Sequence, residues 1–484
     1  MKYQTPSSQS RRSIRRVTVA CSLFLGLCGA AFGETAKPNI VFILADDFGF
    51  MDTGYNGNEF YETPNIDRMT QDGMIFDRAY SGGPNCAPTR ACIISGMYAP
   101  RTHIWTPGGA SKGSSKKMKL VVPNRNNKNG RFFESKEEMD PAVVSLAEML
   151  KPAGYATARF GKWHLGADTQ GFDVSSWSGS AEKDYGNEQG GYKDPKNSVS
   201  ITDAGIDFID ANKDRPFFLY LAHFEVHIPL TADKKIVEKY QQKLESKKWE
   251  DKWNPTYAAM IEALDNSVGR IHEKLAELGL AENTLVIFSS DNGGVGSITP
   301  LKPLKGAKGS FYEGGVRVPT TMVWPNTIKA GSRSETPITS VDFMPTFAEV
   351  AGAKLPDSQP VDGSSFVALL KGQEMEDRAI FWHYPLYLEG NVPQDKVIPV
   401  FGTDRGHWRA TPSSLMCRGD WKLVQYFEDG HVELYNVKED ISEKNDLSGQ
   451  YPERAADMKR ELEEWQKQTQ APIPTEMNPD FVSP

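Results

Sequence analysis

Apolar runs separated by helically spaced segments organise the first 350 positions. Asn39–Ala45 is a continuous apolar run bounded by polar residues, the pattern of a strand buried on both faces. Similar runs recur at Phe217–Leu221, at Thr284–Ser289 and, more weakly, at Thr320–Trp324. Between and after them, Val143–Leu150, Asp203–Ala211, Thr256–Leu278 and Phe343–Ala351 place apolar residues at helical spacing. Strand and helix in alternation predict an α/β fold, a large doubly wound sheet, parallel or mixed, flanked by helices. The texture changes after about residue 380. Trp421–Phe427 and His431–Tyr435 flank Glu428-Asp429-Gly430 and predict a hairpin, and Glu453–Gln468 predicts a charged amphipathic helix. The Pro-rich tail from Pro472 is expected to be irregular. The expected organisation is a large domain over 34–380 and a smaller C-terminal α+β subdomain, antiparallel sheet plus helix, over 381–484.

The first 33 residues read as a signal peptide. Arg11, Arg12, Arg15 and Arg16 precede the apolar run Val17–Gly33, which ends in the small-residue pattern Ala31-Phe32-Gly33. The run is short for a membrane span, and no later stretch reaches 18 apolar residues. The mature chain is therefore expected to be exported, periplasmic or extracellular, without a membrane span. The full chain has 484 residues and a net charge of −8; five of its 55 basic residues and none of its 63 acidic ones lie in the signal, leaving a body of −13. Such an acidic body argues against nucleic-acid binding. A composition of 39% hydrophobic and 24% charged residues excludes a disordered or fibrous chain. Cys86, Cys92 and Cys417 remain after signal removal, an odd number, so one at least is expected to be free or chemically altered.

Acidic residues follow two of the predicted strands directly. Asp46-Asp47 follow the first, and Asp291-Asn292-Gly293-Gly294 follow Thr284–Ser289. Open parallel sheets bind ligands at the carboxyl ends of their strands. Carboxylates with an amide are oxygen donors suited to a hard cation such as Ca²⁺ or Mg²⁺, whereas zinc would recruit His or Cys.

Around Cys86 the pattern becomes specific. Asn85-Cys86-Ala87-Pro88-Thr89-Arg90, followed through Gly96, resembles the signature of the type I, formylglycine-dependent sulfatase family, a branch of the alkaline-phosphatase-like superfamily. Thr63-Pro64-Asn65-Ile66-Asp67, Gly161-Lys162-Trp163-His164-Leu165-Gly166, Phe288–Gly294 and Lys305–Arg317 resemble further elements of that family, in order and spacing. Thr89 stands where serine is commoner, a small hydroxyl in either case.

The resemblance implies that 34–380 is a sulfatase catalytic domain. It implies that Cys86 is converted by a maturation enzyme to 3-oxoalanine (formylglycine), and that Asp46, Asp47, Asp291 and Asn292 bind Ca²⁺, with the group at position 86 completing the metal site. It further implies catalytic roles for Arg90, Lys162, His164, His227 in Val226-His227-Ile228-Pro229, and Lys308. His164 is then the candidate base, and either His227 or Lys308 the acid for the leaving alcohol. A cation and a ring of Lys, Arg and His suit a sulfuryl group whose oxygens carry negative charge.

For the substrate, residues 112–133 hold Lys112, Lys116, Lys117, Lys119, Arg125, Lys128 and Arg131 and no acid, which predicts a patch for a polyanionic glycan. His103, Trp105, His407, Trp408 and Arg409 are candidates for a sugar-binding rim, because aromatic faces stack on sugars and Arg grips sulfate. The expected substrate is a sulfated carbohydrate. The same fold also serves phosphomonoester and phosphonate-ester hydrolases, and a catalytically inactive glycan-binding protein is the non-enzymatic alternative.

Overall fold

Alternate residues of the first strand, β1 (Asn39–Ala45), enter two different cores. Ile40, Phe42 and Leu44 pack on one face with helix Phe343–Ala351, while Val41, Ile43 and Ala45 pack on the other with helices Ser198–Asn212 and Pro255–Glu277. Burial on both faces is what makes the run continuously apolar. The structure, a computed structural model, describes residues 37–124, 133–167, 169–176, 194–389 and 408–482. The signal segment lies outside the described residues, as do His407, Arg125, Lys128 and Arg131.

The other strands of the main sheet are β2 (Met74–Phe76), β3 (Ala156–Gly161), β4 (Val174–Ser176), β5 (Phe217–Ala222), β6 (Thr284–Ser290), β7 (Thr320–Val323) and β8 (Ser332–Ser334). Their spatial order is β4-β3-β5-β1-β6-β7-β2-β8. Pairing is parallel from β4 to β6, so the first strand lies centrally with its carboxyl end beside those of β5 and β6. The weak run at Thr320 is a strand of opposite sense, antiparallel to both β6 and β2. The sheet is therefore mixed. The long connection over residues 291–319 carries only the four-residue helix Glu313–Val316 and brings the chain back antiparallel beside β6.

Local chemistry sets several boundaries. The helix expected from Val143 begins at Leu146, because Ser145 caps it: its hydroxyl accepts from Glu148 N and the Glu148 carboxylate accepts from Ser145 N. Strand β3 escaped the apolar pattern, since Thr157 and Arg159 interrupt it.

The C-terminal region carries the expected antiparallel sheet. Ala379–Tyr384, Ser413–Arg418, Trp421–Tyr426 and Val432–Asn436 are adjacent in that order, and the first strand straddles the expected boundary at 380. Helix Pro452–Gln468 covers one face, with Met458, Leu462 and Trp465 against Met416, Leu423 and Leu434. The irregular tail is firmly seated. Val121 N donates to Glu476 O at 2.9 Å, Asn478 N to Lys119 O at 2.8 Å and Val482 N to Lys116 O at 2.8 Å.

Candidate active site

The carboxyl ends of β1, β5 and β6 and the start of helix Cys86–Ser95 meet in one buried pocket. Cys86 is the first residue of that helix, whose exposed N–H end favours anions. The helix closes at Gly96, φ 68°, whose N–H bonds to Cys92 O, a left-handed turn that suits glycine. Ligand atoms of Asp46, Asp47, Cys86 and His227 lie within 4.8 Å of one another. Cys86 Sγ is 3.4 Å from Asp46 Oδ1 and 3.8 Å from Asp47 Oδ1.

Basic side chains hold these acids from the sides. Lys162 Nζ contacts Asp46 Oδ2, and Lys308 Nζ lies 2.6 and 2.7 Å from the two oxygens of Asp47 and 3.4 Å from Cys86 Sγ. Arg90, fully buried, donates from Nε and Nη2 to Asp291 Oδ2 at 3.0 and 2.7 Å and from Nη1 to Lys162 O at 2.8 Å. It thus joins the signature helix to both neighbouring segments. Asp47 N donates to Asp291 Oδ1 at 3.2 Å, and Asn292 Nδ2 to Asp47 Oδ1 at 2.9 Å. His227 Nε2 stands 3.7 Å from Asp47 Oδ2, and its Nδ1 is 2.6 Å from Ile228 O. The close glycines have a steric reason: a Cβ on Gly293 would lie 2.0 Å from Gly314 O, so both the Asp-Asn-Gly and Glu-Gly-Gly turns are needed for this approach.

The charges order themselves by these contacts. Burial would raise the carboxyl of Asp46, but Lys162, then His227 and Arg90, hold it well below its ordinary value. Asp47 is likewise lowered, burial being outweighed chiefly by Lys308. Asp291 goes the other way, raised to about 6 by burial and by the nearby Asp46, against the pull of Arg90. Burial and then the Asp291 charge push the Cys86 thiol far up, so as a thiol it stays protonated and is a poor nucleophile. His164 reaches solvent at one edge, yet enclosure of its ring and the charges of Lys162 and Arg90 push its imidazole well down, leaving it neutral. Burial, with Lys162, also lowers His227.

The donor set fits a hard cation. Asn292 Oδ1 is buried without a hydrogen-bond partner, beside carboxylates that face Cys86. An orphaned amide oxygen among carboxylates is what an oxygen-seeking ion satisfies. Asp46, Asp47, Asp291 and Asn292 would hold it. His227 joins the cluster although sequence reading placed it outside the metal set.

The rim differs from expectation. Trp105 is 1% exposed, packs edge-on to His383 and donates from Nε1 to Glu134 O at 3.0 Å. It is a core residue, with no face left for a sugar. His103, beside it, stands 3.8 Å from Glu134. Arg409 packs against Gly309 next to Lys308; burial lowers its guanidinium while the Asp47 charge opposes this, so it lies within electrostatic reach of the pocket. The basic segment from Lys112 is a folded wall rather than a free loop. Met118, Leu120 and Val122 are buried against Tyr387 and Trp408. Lys117 meets Glu389 at 3.9 Å and Lys119 meets Glu428 at 4.0 Å, acids supplied from far along the chain. Cys86, Cys92 and Cys417, the cysteines among the described residues, are free and buried. Sequence reading passed over Asp52, which accepts from Gly49 N, Tyr257 Oη and Thr299 Oγ1 at 2.8, 2.6 and 2.6 Å and ties the two acid-bearing loops together. It also passed over Lys196 and Glu225, which no local pattern marks.

A mixed α/β sheet with a cation-ready acidic pocket at its strand ends and a helix-borne cysteine defines a hydrolase of the alkaline-phosphatase-like superfamily. The sulfatase family model matches residues 38–353, and the chain belongs to that family of sulfate-ester hydrolases. A second model, described as N-sulphoglucosamine sulphohydrolase, C-terminal, matches residues 307–468. The chain is 32% identical to a sulfatase of Formosa agariphila over 90% of each chain. It is 31% identical to N-acetylgalactosamine-6-sulfatase of Mus musculus over 74% of this chain and 71% of that one. Among solved structures it is similar to Ps i-CgsB in complex with k-i-k-neocarrahexaose, with a TM-score of 0.70, 28% identity and coverage of 90% and 94%.

Proposed function

We propose that this protein is an exported sulfatase that removes sulfate from a sulfated carbohydrate, using formylglycine made from Cys86 and a Ca²⁺ ion held by Asp46, Asp47, Asp291 and Asn292. The observation that carries the reading is the orphaned, buried Asn292 Oδ1 among carboxylates grouped around the buried Cys86 thiol. When present, the two groups supply a diol nucleophile and a fixed positive charge for the sulfuryl oxygens. Lys162, Lys308 and Arg90 surround the same space and need no reorganisation as charge develops. His164, two residues after Lys162, is the candidate base. His227, 3.7 Å from Asp47, and Lys308, 3.4 Å from Cys86 Sγ, are the two candidates for the acid that protonates the leaving alcohol.

A carbohydrate substrate is supported by the sugar-sulfatase and carrageenan-complex relatives and by Arg409 beside Lys308. Export rests on the N-terminal basic and apolar pattern. No helix among the described residues is long and apolar enough to cross a membrane.

The test is to co-express the chain with a formylglycine-generating enzyme, measure the mass of the peptide bearing residue 86, and compare nitrophenyl sulfate with nitrophenyl phosphate. Formylglycine with a preference for sulfate is the expected result. A preference for phosphate would favour the phosphoester hydrolases of this fold. An unmodified thiol with tight sulfated-glycan binding and no turnover would favour the binding protein.

A further inference from the structure

Behind the His227 loop stands a lysine with no place in the scheme above. Lys196 lies in the short turn Pro195–Asn197 that leads into helix Ser198–Asn212; it is 1% exposed and has φ 64°, in the left-handed region. A non-glycine residue is uncommon there, and such strain gathers at functional sites. Asp194 fixes the turn, its carboxylate accepting from Val199 N and Ser200 N at 2.8 Å each. From this turn the Lys196 ammonium donates to His227 O at 2.6 Å, and the Ser198 hydroxyl donates to Glu225 on the same loop. The loop is tied on its opposite side to the acid-bearing strand end: Asp46 N donates to Glu225 O at 2.7 Å and Val226 N to Asp46 O at 2.6 Å. Beyond that point packing gives out, for Ile228 is 52% exposed.

We propose that Lys196 is a positioning residue that sets the His227 ring against Asp47 through the main-chain carbonyl of His227. The inference rests on the sulfatase reading. A charge-assisted bond is about twice as strong as a neutral one, and here it restrains the loop end that the core does not cover. A misplacement of about 1 Å in a catalytic group costs on the order of 10²-fold in rate.

A mutant cycle tests this on the matured enzyme with nitrophenyl sulfate. Lys196→Met is expected to lower kcat about 10–100-fold with little change in KM, and Lys196→Arg, which keeps a cationic donor, to recover part of the loss. In the His227→Ala background, Lys196→Met is expected to cost nothing further, because the group it positions is gone. Amide hydrogen exchange over residues 224–228 is expected to accelerate in Lys196→Met and less in Lys196→Arg, a readout that needs no turnover. If Lys196→Met cannot be purified, Lys196→Gln, whose shorter side chain falls short of the carbonyl, takes its place. Additive losses in the double variant would overturn the proposal, since Lys196 would then act elsewhere. A raised KM with unchanged exchange would also overturn it, placing Lys196 on the substrate. Should the wild type prefer phosphate esters, the sulfatase reading falls, while the cycle on that substrate and the exchange data still decide the role of Lys196.

Discussion

Two charge clusters buried among the described residues differ in kind, and the one around Cys86 is built to bind. Around Cys86, three carboxylates face one another with Lys162, Lys308 and Arg90 at their flanks and an amide oxygen left unpartnered. Where the C-terminal sheet meets the Glu313-Gly314-Gly315 turn, Lys422 sits fully buried between Glu313 at 2.9 Å and Glu443 at 3.0 Å. Arg317 Nη1 and Tyr80 Oη take the other oxygen of Glu313 at 3.2 and 3.1 Å, and Glu313 N donates to Glu443 at 2.7 Å. Both clusters are largely buried and multiply charged. The second closes on itself, each acid facing a cation or an N–H. The first gathers its acids on one side of a space and leaves an acceptor over. Burial of charge does not mark a site; incomplete compensation does.

Removing a central group from each cluster should separate activity from stability. Cys86→Ala should lower turnover of nitrophenyl sulfate by at least about 10³-fold, as loss of a nucleophile does, with the melting temperature near that of the wild type. Cys92→Ala, six residues further along the same tightly packed helix, should cost a modest amount of stability and little activity, since Cys92 packs as a small apolar group against Gly82. Equal activity losses from the two, at equal stability, would contradict the assignment of Cys86.

Lys422→Met should do the reverse. It leaves Glu443 without its cation and Glu313 with Arg317 alone as ion-pair partner, a loss of about 3–5 kcal/mol by urea unfolding, while the folded fraction keeps its turnover. Full stability with lost activity would join the two clusters into one functional unit and break the comparison.

Stripping divalent metal should act on the open cluster alone. At a concentration about 100 to 1,000 times its dissociation constant, an ion bound only to the folded state adds about 3–4 kcal/mol. A chelator should therefore lower the unfolding midpoint of the wild type, and lower it less in Asn292→Ala. An unchanged midpoint and unchanged activity after chelation would remove the calcium assignment.

The same contrast explains what could be read from the chain. β1 and helix Phe343–Ala351 are legible to the residue, because a segment buried on both faces or along one stripe must carry its apolar pattern locally. Asp46, Asp47, Asp291 and Asn292 were legible as acids at strand ends, for the topology alone brings those ends together. Partners that arrive from a distance were not. Arg159 interrupts β3 as a surface residue would, yet it is buried with its guanidinium 4.2 Å over the Trp163 ring. The lysines from Lys112 look like an acid-free patch until Glu389 and Glu428 fold against them. Trp105 looks like a sugar platform until Glu134 and His383 enclose it. Lys196 has no local signature at all, its role lying in a carbonyl 31 residues away.

The smallest expected effect probes the closed cluster by pH. Burial, and the Glu313 charge against the pull of Lys422, raises the Glu443 carboxyl from its ordinary 4.5 to about 7. Between those values the folded protein holds a proton that the unfolded chain has lost, so folding stability from this group falls as pH rises from 4.5 to 7 and is level above. Glu443→Gln keeps an oxygen for Glu313 N but cannot ionise; its new amide donor beside Lys422 adds a cost that does not vary with pH. The wild type should therefore lose ground to Glu443→Gln by at most about 3 kcal/mol between pH 4.5 and 7. Asp291 and Asp52, both raised to about 6, titrate in the same window but are common to the two proteins and cancel in the difference. Urea unfolding of both proteins at pH 5 and pH 8 reads it directly. A difference that is flat or that grows in favour of the wild type at pH 8 would mean that Glu443 is ionised throughout and that Lys422 compensates it fully. The second cluster would then be closed in charge as well as in geometry, and the gap between it and the pocket around Cys86 would be wider than drawn here.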